Sequence, residues 1–186
     1  MAKGSHANRG KDWEAIIEAY SKVYENQGHA VVFRTPPPVR LLAPMGGGRW
    51  KAVMTEEGPP DYTMLVRGDP RPIAVSAEAK NNQSGRWSLA QLHPHQAKKL
   101  QAWHDLGGLA VVLLRNQPNN KCYVLPWRTF GPVWSRWRAG QVGGRRAAPR
   151  TASLGVSDLE SIGFSFHESK GYLNALLEAH NEISAG

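Results

Sequence analysis

The sequence predicts an α/β protein with a mixed central β-sheet flanked by helices and a basic excursion protruding from it. Three observations point there. The hydropathy pattern reads helix, three strands broken by an insertion, helix, two strands and closing helices, an order that favours a sheet with helices packed on it. The chain has 186 residues, 41% of them hydrophobic, enough for one well-buried core and short for two. Residues 1–186 are therefore expected to form a single domain. Between residues 27 and 55 stand Arg34, Arg40, Arg49 and Lys51 without one acid, so the insertion is positively charged.

Each element follows from its own pattern. Over 13–24, Trp13, Ile16, Ile17, Tyr20 and Tyr24 recur at helical spacing and make one stripe of an amphipathic helix, with Asp12 as its expected N-cap. Glu14 lies about 100° round from Trp13, at the margin of that stripe and within reach of a neighbouring site. Gly28 is expected to stop the helix. The β-rich run 29–34 ends at Thr35-Pro36-Pro37-Pro38, because proline cannot donate to a ladder. Two apolar runs, 39–42 and 50–54, separated by Met45-Gly46-Gly47-Gly48, suggest a hairpin-like excursion. After the turn Gly58-Pro59-Pro60, residues 62–66 read as a strand, 68–72 as a turn and 73–80 as the next strand.

His93 caps a helix that has Pro94 at its first position, Ala97, Leu100 and Trp103 on one face, and Gly107-Gly108 at its close. The unbroken apolar run 109–114 reads as a buried strand, and 121–125 follows as another after the turn 116–120. Residues 128–138 are Trp-rich and helical in pattern, and 140–150 form a Gly- and Arg-rich loop. Residues 172–183 make a terminal helix with Leu173, Leu176, Leu177 and His180 on one stripe.

Composition narrows the function classes. Twenty-three Lys and Arg against fifteen Asp and Glu give a net charge of +8 and a pI near 9.9, so polyanions, nucleic acid first, are the natural partners. The charge is clustered: residues 106–157 hold eight basic side chains and no acid, whereas the segment from Asp158 onward holds five acids and only Lys170. The lone Cys122 excludes an intramolecular disulfide and a multi-thiolate metal cluster, and suits a reducing cytoplasm. No apolar run approaches the roughly 18 residues that span a bilayer, and the N-terminus lacks a signal-peptide core. A soluble protein without membrane partners is expected.

The string that carries chemistry is Ser76-Ala77-Glu78-Ala79-Lys80, with Asp61 seventeen residues before Glu78. Alternation along a strand puts Glu78 and Lys80 on one side and Ala77 and Ala79 on the other. If Asp61 opens the neighbouring strand, its carboxylate converges with that of Glu78. Two carboxylates with backbone carbonyls and waters are ligands for a hard cation such as Mg²⁺, and an adjacent lysine can orient a nucleophile or stabilise charge in phosphodiester hydrolysis. An acid two residues before a lysine is common on solvated strands. Its weight here comes from the β-rich setting, the proline turn before Asp61 and the basic chain.

These residues also carry a resemblance. Pro60-Asp61 followed by Glu78-Ala79-Lys80 resembles the catalytic core of the PD-(D/E)XK nuclease superfamily, whose fold is restriction-endonuclease-like. Further strings narrow it to RecU-type Holliday junction resolvases: Asn8-Arg9-Gly10-Lys11 with Glu14, Glu78-Ala79-Lys80-Asn81, Leu92-His93-Pro94-His95-Gln96, Tyr123-Val124-Leu125-Pro126 and Gly143-Gly144-Arg145-Arg146. They run in family order over nearly the whole chain and are weakest beyond residue 150. The resemblance implies a homodimer that makes paired symmetric nicks in four-way junction DNA during recombination and repair, using Mg²⁺ or Mn²⁺. It implies a positively charged stalk entering the junction from each subunit, a place occupied here by residues 36–58. It also leaves room for recombinase or branch-migration partners. Asp61, Glu78 and the Ala79 carbonyl would bind metal, Lys80 would assist the attacking water, Gln96 would orient groups from the following helix, and Glu14 matches the family's N-terminal acid. Gly58-Pro59-Pro60 is richer in proline than the family's usual turn before that aspartate, which bears on the base of the stalk.

The DNA-contacting candidates are Arg9, Lys11, Arg40, Arg49, Lys51, Arg86, Trp87, Arg145 and Arg146. Trp87 beside Arg86, in the loop after the active strand, reads as a residue that stacks on bases, whereas Trp127, Trp134 and Trp137 read as core. Arg145, Arg146 and Arg150 have no acid nearby in sequence and suit phosphates. His93, His95 and His104 lack a matching ligand set and read as capping or surface residues. Two other functions fit part of the pattern: a non-catalytic junction- or DNA-binding protein that modulates a recombinase, which the intact Asp61, Glu78 and Lys80 disfavour, and a related nuclease of linear or damaged duplex, which the stalk-like insertion disfavours.

Overall fold

A computed structural model of the chain describes residues 6–55, 57–142 and 152–185. In chain order the elements are α1 (His6–Asn26), β1 (Ala30–Arg34), β2 (Val39–Gly46), β3 (Arg49–Met54), β4 (Tyr62–Val66), β5 (Ile73–Asn82), β6 (Trp87–Ser88), α2 (Pro94–Asp105), β7 (Leu109–Asn116), β8 (Lys121–Pro126), α3 (Trp127–Val142), β9 (Ser153–Leu154), α4 (Val156–Ile162), β10 (Phe164–Phe166) and α5 (Leu173–Ala185). The main sheet has six strands in the order β1-β4-β5-β7-β8-β10. Every pairing in it is antiparallel except β5 with β7. That exception follows from α2, which carries the chain across the sheet between the two strands, as a parallel pair requires.

Around β7 the sheet is buried on both faces, which explains the unbroken apolar run of that strand. Leu109, Val111 and Leu113 join Ile73, Val75 and Ala77 of β5 beneath α1 and α5, with Trp13, Ile17, Tyr172 and Leu176. Ala110, Val112 and Leu114 face the other way, into a second core with Leu100 of α2 and Trp127, Phe130, Trp134 and Trp137 of α3. The Trp13 indole N–H donates to the Leu113 carbonyl at 3.0 Å and pins α1 to the sheet. The Ser21 and Tyr172 hydroxyls, 2.8 Å apart, tie α1 to the start of α5.

The expected cap at Asp12 is corrected. The helix begins at His6, so Asp12 lies in its second turn. The helix runs through Gly10, whose cost of about 1 kcal/mol is tolerated in an element otherwise held by the Trp13–Ile17–Tyr24 stripe. The strand at Tyr62–Val66 falls where the pattern places it, and the neighbouring strand extends two residues past Lys80 to Asn82.

The insertion is a two-stranded ribbon of its own, β2 against β3, with all eight residues of β2 exposed. Its turn is made by Gly46, Gly47 and Gly48, with φ of 79°, 59° and 72°, a region where side-chain-bearing residues are strained. At its base, His95 of α2 faces Glu57 with Nδ1 3.4 Å from Oε1.

Candidate active site

The catalytic candidates gather where β4 and β5 meet the N-terminus of α2. Tyr62 is paired with Ala77, so Asp61, one residue before β4, comes alongside Glu78. The Asp61 carbonyl closes the end of the ladder by accepting from Thr35 N–H at 2.8 Å. Its side chain accepts from the Ala79 N–H, also at 2.8 Å. On β5, Ala77 and Ala79 turn into the core under α1, which leaves Glu78 and Lys80 to project on the α2 side. There Lys80 Nζ donates to Glu78 Oε1 at 2.9 Å and to Gln96 Oε1 at 3.1 Å.

Gln96 is the hub. Its amide nitrogen donates to Glu78 Oε1, and its oxygen also accepts from the His93 N–H at 2.9 Å. The same glutamine therefore closes the capping box of α2 and braces two site residues. This is why Pro94 at the first helical position matters: it fixes where the helix starts, and so where its third residue points.

Glu78 is only 1% exposed. Burial is the main cause that pushes its carboxyl up to about 7; Lys80 acts against that shift, and the neighbouring Asp61 carboxylate adds to it. Its second oxygen, Oε2, is buried with no hydrogen-bond partner among the described residues. A buried carboxylate oxygen left unpaired is costly, and a second carboxylate alongside raises the cost. A hard divalent cation between Asp61 and Glu78 would relieve both, and an all-oxygen donor set is what such a cation takes. The residues present thus fit Mg²⁺ or Mn²⁺. Among the described residues, no group of three or more His, Cys, Asp or Glu side chains is placed to hold a metal, so the donors this site could offer one are two carboxylates and main-chain oxygen.

Other candidates stand apart from this cluster. Glu14 is taken by Arg34 of β1, which also reaches Glu18 at 2.7 Å. Its main-chain carbonyl lies 3.5 Å from the Tyr62 hydroxyl, so Glu14 stands beside the residue that follows Asp61. Arg40, Arg49 and Lys51 are exposed on the ribbon. Arg9 and Lys11 lie in the first two turns of α1, and their side chains are outside those described. Arg145 and Arg146 lie outside the described residues. Arg86 is exposed but engaged: it donates to the Ser153 carbonyl at 2.8 Å and to Ser153 Oγ at 3.1 Å, and lies 3.6 Å from Asp158.

Trp87 is a correction. It is fully buried, packed on Phe130 at 5.2 Å between ring centroids, and cannot stack on a base. The reason is non-local, because β6 pairs with β9, Trp87 opposite Leu154, and that pairing turns the indole into the core. Sequence reading also missed a buried amide pair at the end of the active strand, where Asn82 Nδ2 donates to Asn116 Oδ1 at 3.0 Å. Both asparagines sit beside turn signals, so nothing local distinguished them from turn residues.

A mixed sheet in which the neighbouring strands β4 and β5 bring two carboxylates and a lysine together beneath a helix-borne glutamine is the arrangement of the restriction-endonuclease-like class of nucleases. The Recombination protein U family model matches residues 8–152, and the chain belongs to that family. Relatives named Holliday junction resolvase RecU include one from Geobacillus thermodenitrificans, 29% identical over 78% of this chain and 72% of the relative, and one from Oceanobacillus iheyensis, 27% identical over 91% and 85%. One from Staphylococcus saprophyticus is 27% identical over 73% of this chain and spans 66% of the relative's length. The matched stretch ends before β9, yet Leu154, Leu159, Tyr172 and Leu176 beyond it complete both cores.

Proposed function

We propose that the chain is a structure-selective endonuclease that resolves four-way Holliday junctions, working in the cytoplasm as a homodimer that places one nick in each of two opposed strands. The observation that carries this reading is the Asp61–Glu78–Lys80–Gln96 cluster with its unpaired buried oxygen. It supports a site built around a ligand the fold does not itself supply. Mg²⁺ or Mn²⁺ held by Asp61, Glu78 and the Ala79 carbonyl would lower the pKa of bound water and neutralise charge developing on the phosphate.

The chain's own residues do the positioning. The Ala79 N–H fixes the orientation of Asp61. Lys80 is held between two oxygens, one of Glu78 and one of Gln96, so its ammonium presents its remaining N–H to an attacking water or a phosphate oxygen without first searching rotamers. Gln96 ties both to the rigid start of α2. Residues 36–58 act as the stalk: Arg40, Arg49 and Lys51 meet phosphates near the branch point, and a twofold dimer matches the symmetry of the junction.

The test compares an immobile synthetic four-way junction with matched linear duplex, with Mg²⁺ or with chelator. Cleavage is expected of the junction only, and only with the ion. Asp61→Asn is expected to keep junction binding and to lose cleavage by more than about a hundredfold. Equal cleavage by the variant would reject the metal assignment.

A further inference from the structure

Beyond the catalytic cluster, the active strand ends in a second set of buried polar groups. Asn82 and Asn116, 1% and 0% exposed, are direct partners across the parallel β5–β7 pair. Alternation puts Asn82 on the face of Glu78 and Lys80, about 7 Å further along the strand than Lys80. β5 last pairs with β4 at Ala77 but stays paired with β7 as far as Asn82. Glu78, Lys80 and the loop after Asn82 therefore stand at the end of the sheet where Asp61 lies.

All four polar side-chain atoms of the two amides are used, and they are used on that loop. Asn82 Nδ2 donates to Asn116 Oδ1 at 3.0 Å. Asn82 Oδ1 accepts from the Ser84 N–H at 3.3 Å and lies 3.0 Å from Ser84 Oγ. Asn116 Nδ2 donates to the Gly85 carbonyl at 3.4 Å, and Asn119 Nδ2 reaches the same carbonyl at 3.3 Å. Arg86 ties the far end of the loop to Ser153, and Trp87 then enters the core.

Buried amides are costly unless satisfied, and an apolar pair of the same shape would serve the core equally well. What the amides add is a fixed loop. Its surface suits a polyanion: Gln83, Ser84 and Arg86 are exposed, and no acid occurs from residue 79 to residue 104. Gly85 has a φ of 77°, and nothing lies within 4 Å of the place its Cβ would take, so the main chain there is open to close approach.

We infer that residues 83–86 form a rigid shelf for the phosphates beside the scissile one, and that Asn82 and Asn116 are the positioning residues that hold it. The inference deepens the nuclease reading and rests on it. The 7 Å offset from Lys80 corresponds to about two nucleotide steps, at 3.4 Å each along a B-form strand. Contacts to phosphate fix register without reading sequence, which suits an enzyme that selects a branched shape. The stalk then sets which DNA is bound, and the shelf sets how the strand lies over Lys80.

The test replaces the amides by their apolar likeness. The full-length double variant Asn82→Leu, Asn116→Leu is expected to melt cooperatively, to take up Mn²⁺ as wild type does, and to bind an immobile four-way junction with little change in affinity. Its single-turnover cleavage with Mg²⁺ should fall by about ten- to a hundredfold, the cost of a strand held slightly out of place. In chelator, amide hydrogen exchange over 83–86 should be slow in the wild type and slower once junction is added, whereas the double variant exchanges faster and loses the slowing. Asn119→Ala, an exposed change that leaves both cores intact, should loosen the same loop and lower cleavage by about threefold, and it carries the test should the double variant not fold. Wild-type cleavage by either folded variant, or exchange over 83–86 that ignores the junction, would overturn the shelf. Wild-type protein that cuts the junction without protecting the loop sinks the shelf and spares the nuclease; protection of the loop without cutting does the reverse.

Discussion

The catalytic cluster and the β2–β3 ribbon are built on opposite principles. Around Glu78, whose Oε2 is left unpaired among the described residues, the neighbouring side chains are gripped: Asp61 by the Ala79 N–H, Lys80 by Glu78 and Gln96, and Gln96 by the cap of α2. The ribbon makes its own two-stranded sheet and all of β2 is exposed. The contrast teaches where each task can be placed. Chemistry needs groups held in one geometry before substrate arrives, so it sits on β5, inside the sheet, and at the head of its neighbour β4. Reading a branched DNA needs reach and charge, so it is given to an element that stands off the body.

Deleting residues 38–56 should separate the two most sharply. The cores beneath α1 and α3 do not use the ribbon, so the deletion is expected to fold, to take up the metal and to nick DNA, with the preference for junction over linear duplex abolished. Preference retained in a side-by-side cleavage assay would remove the ribbon from recognition.

A smaller effect concerns the stability cost of the cluster. The Glu78 carboxyl lies near 7 in the fold against an ordinary value of 4.5. A carboxyl raised by folding binds its proton more tightly folded than unfolded. Its contribution is therefore fully present below about 4.5 and is lost as pH rises towards 7. Glu78→Gln removes that dependence. In chelator, the stability of the variant relative to wild type should climb by up to about 3 kcal/mol between pH 4.5 and 8, read from denaturant melts along the pH range. A difference that stays flat would mean that Glu78 is not desolvated as the structure has it.

The smallest effect lies on the ribbon's exposed cations. Lys51→Ala should lower the dependence of junction affinity on salt by about one unit of log–log slope, measured by titration at several salt concentrations. No change in slope would place Lys51 away from phosphate.

How much of this was legible in the sequence depends on how local each signal is. The strand at Tyr62–Val66 lies between a proline-rich turn and a glycine–proline turn, and the N-terminus of α2 has its cap, proline and glutamine in one string. Both were readable from neighbours alone, and so was the shared face of Glu78 and Lys80. The true start of α1 was not, because His6–Lys11 carries no apolar stripe. Trp87 was misread because its partner, Leu154, lies 67 residues further on, and an aromatic beside an arginine in a loop looks the same whether it meets a base or a core.

The most direct test of the central claim, that Asp61 and Glu78 are held together to share one cation, is titration of Mn²⁺ into the DNA-free protein, followed by calorimetry or electron paramagnetic resonance. Wild-type protein is expected to bind at this site with proton release near neutral pH, and Asp61→Asn and Glu78→Gln each to lose that binding while melting cooperatively. Undiminished uptake by either folded variant would contradict the account.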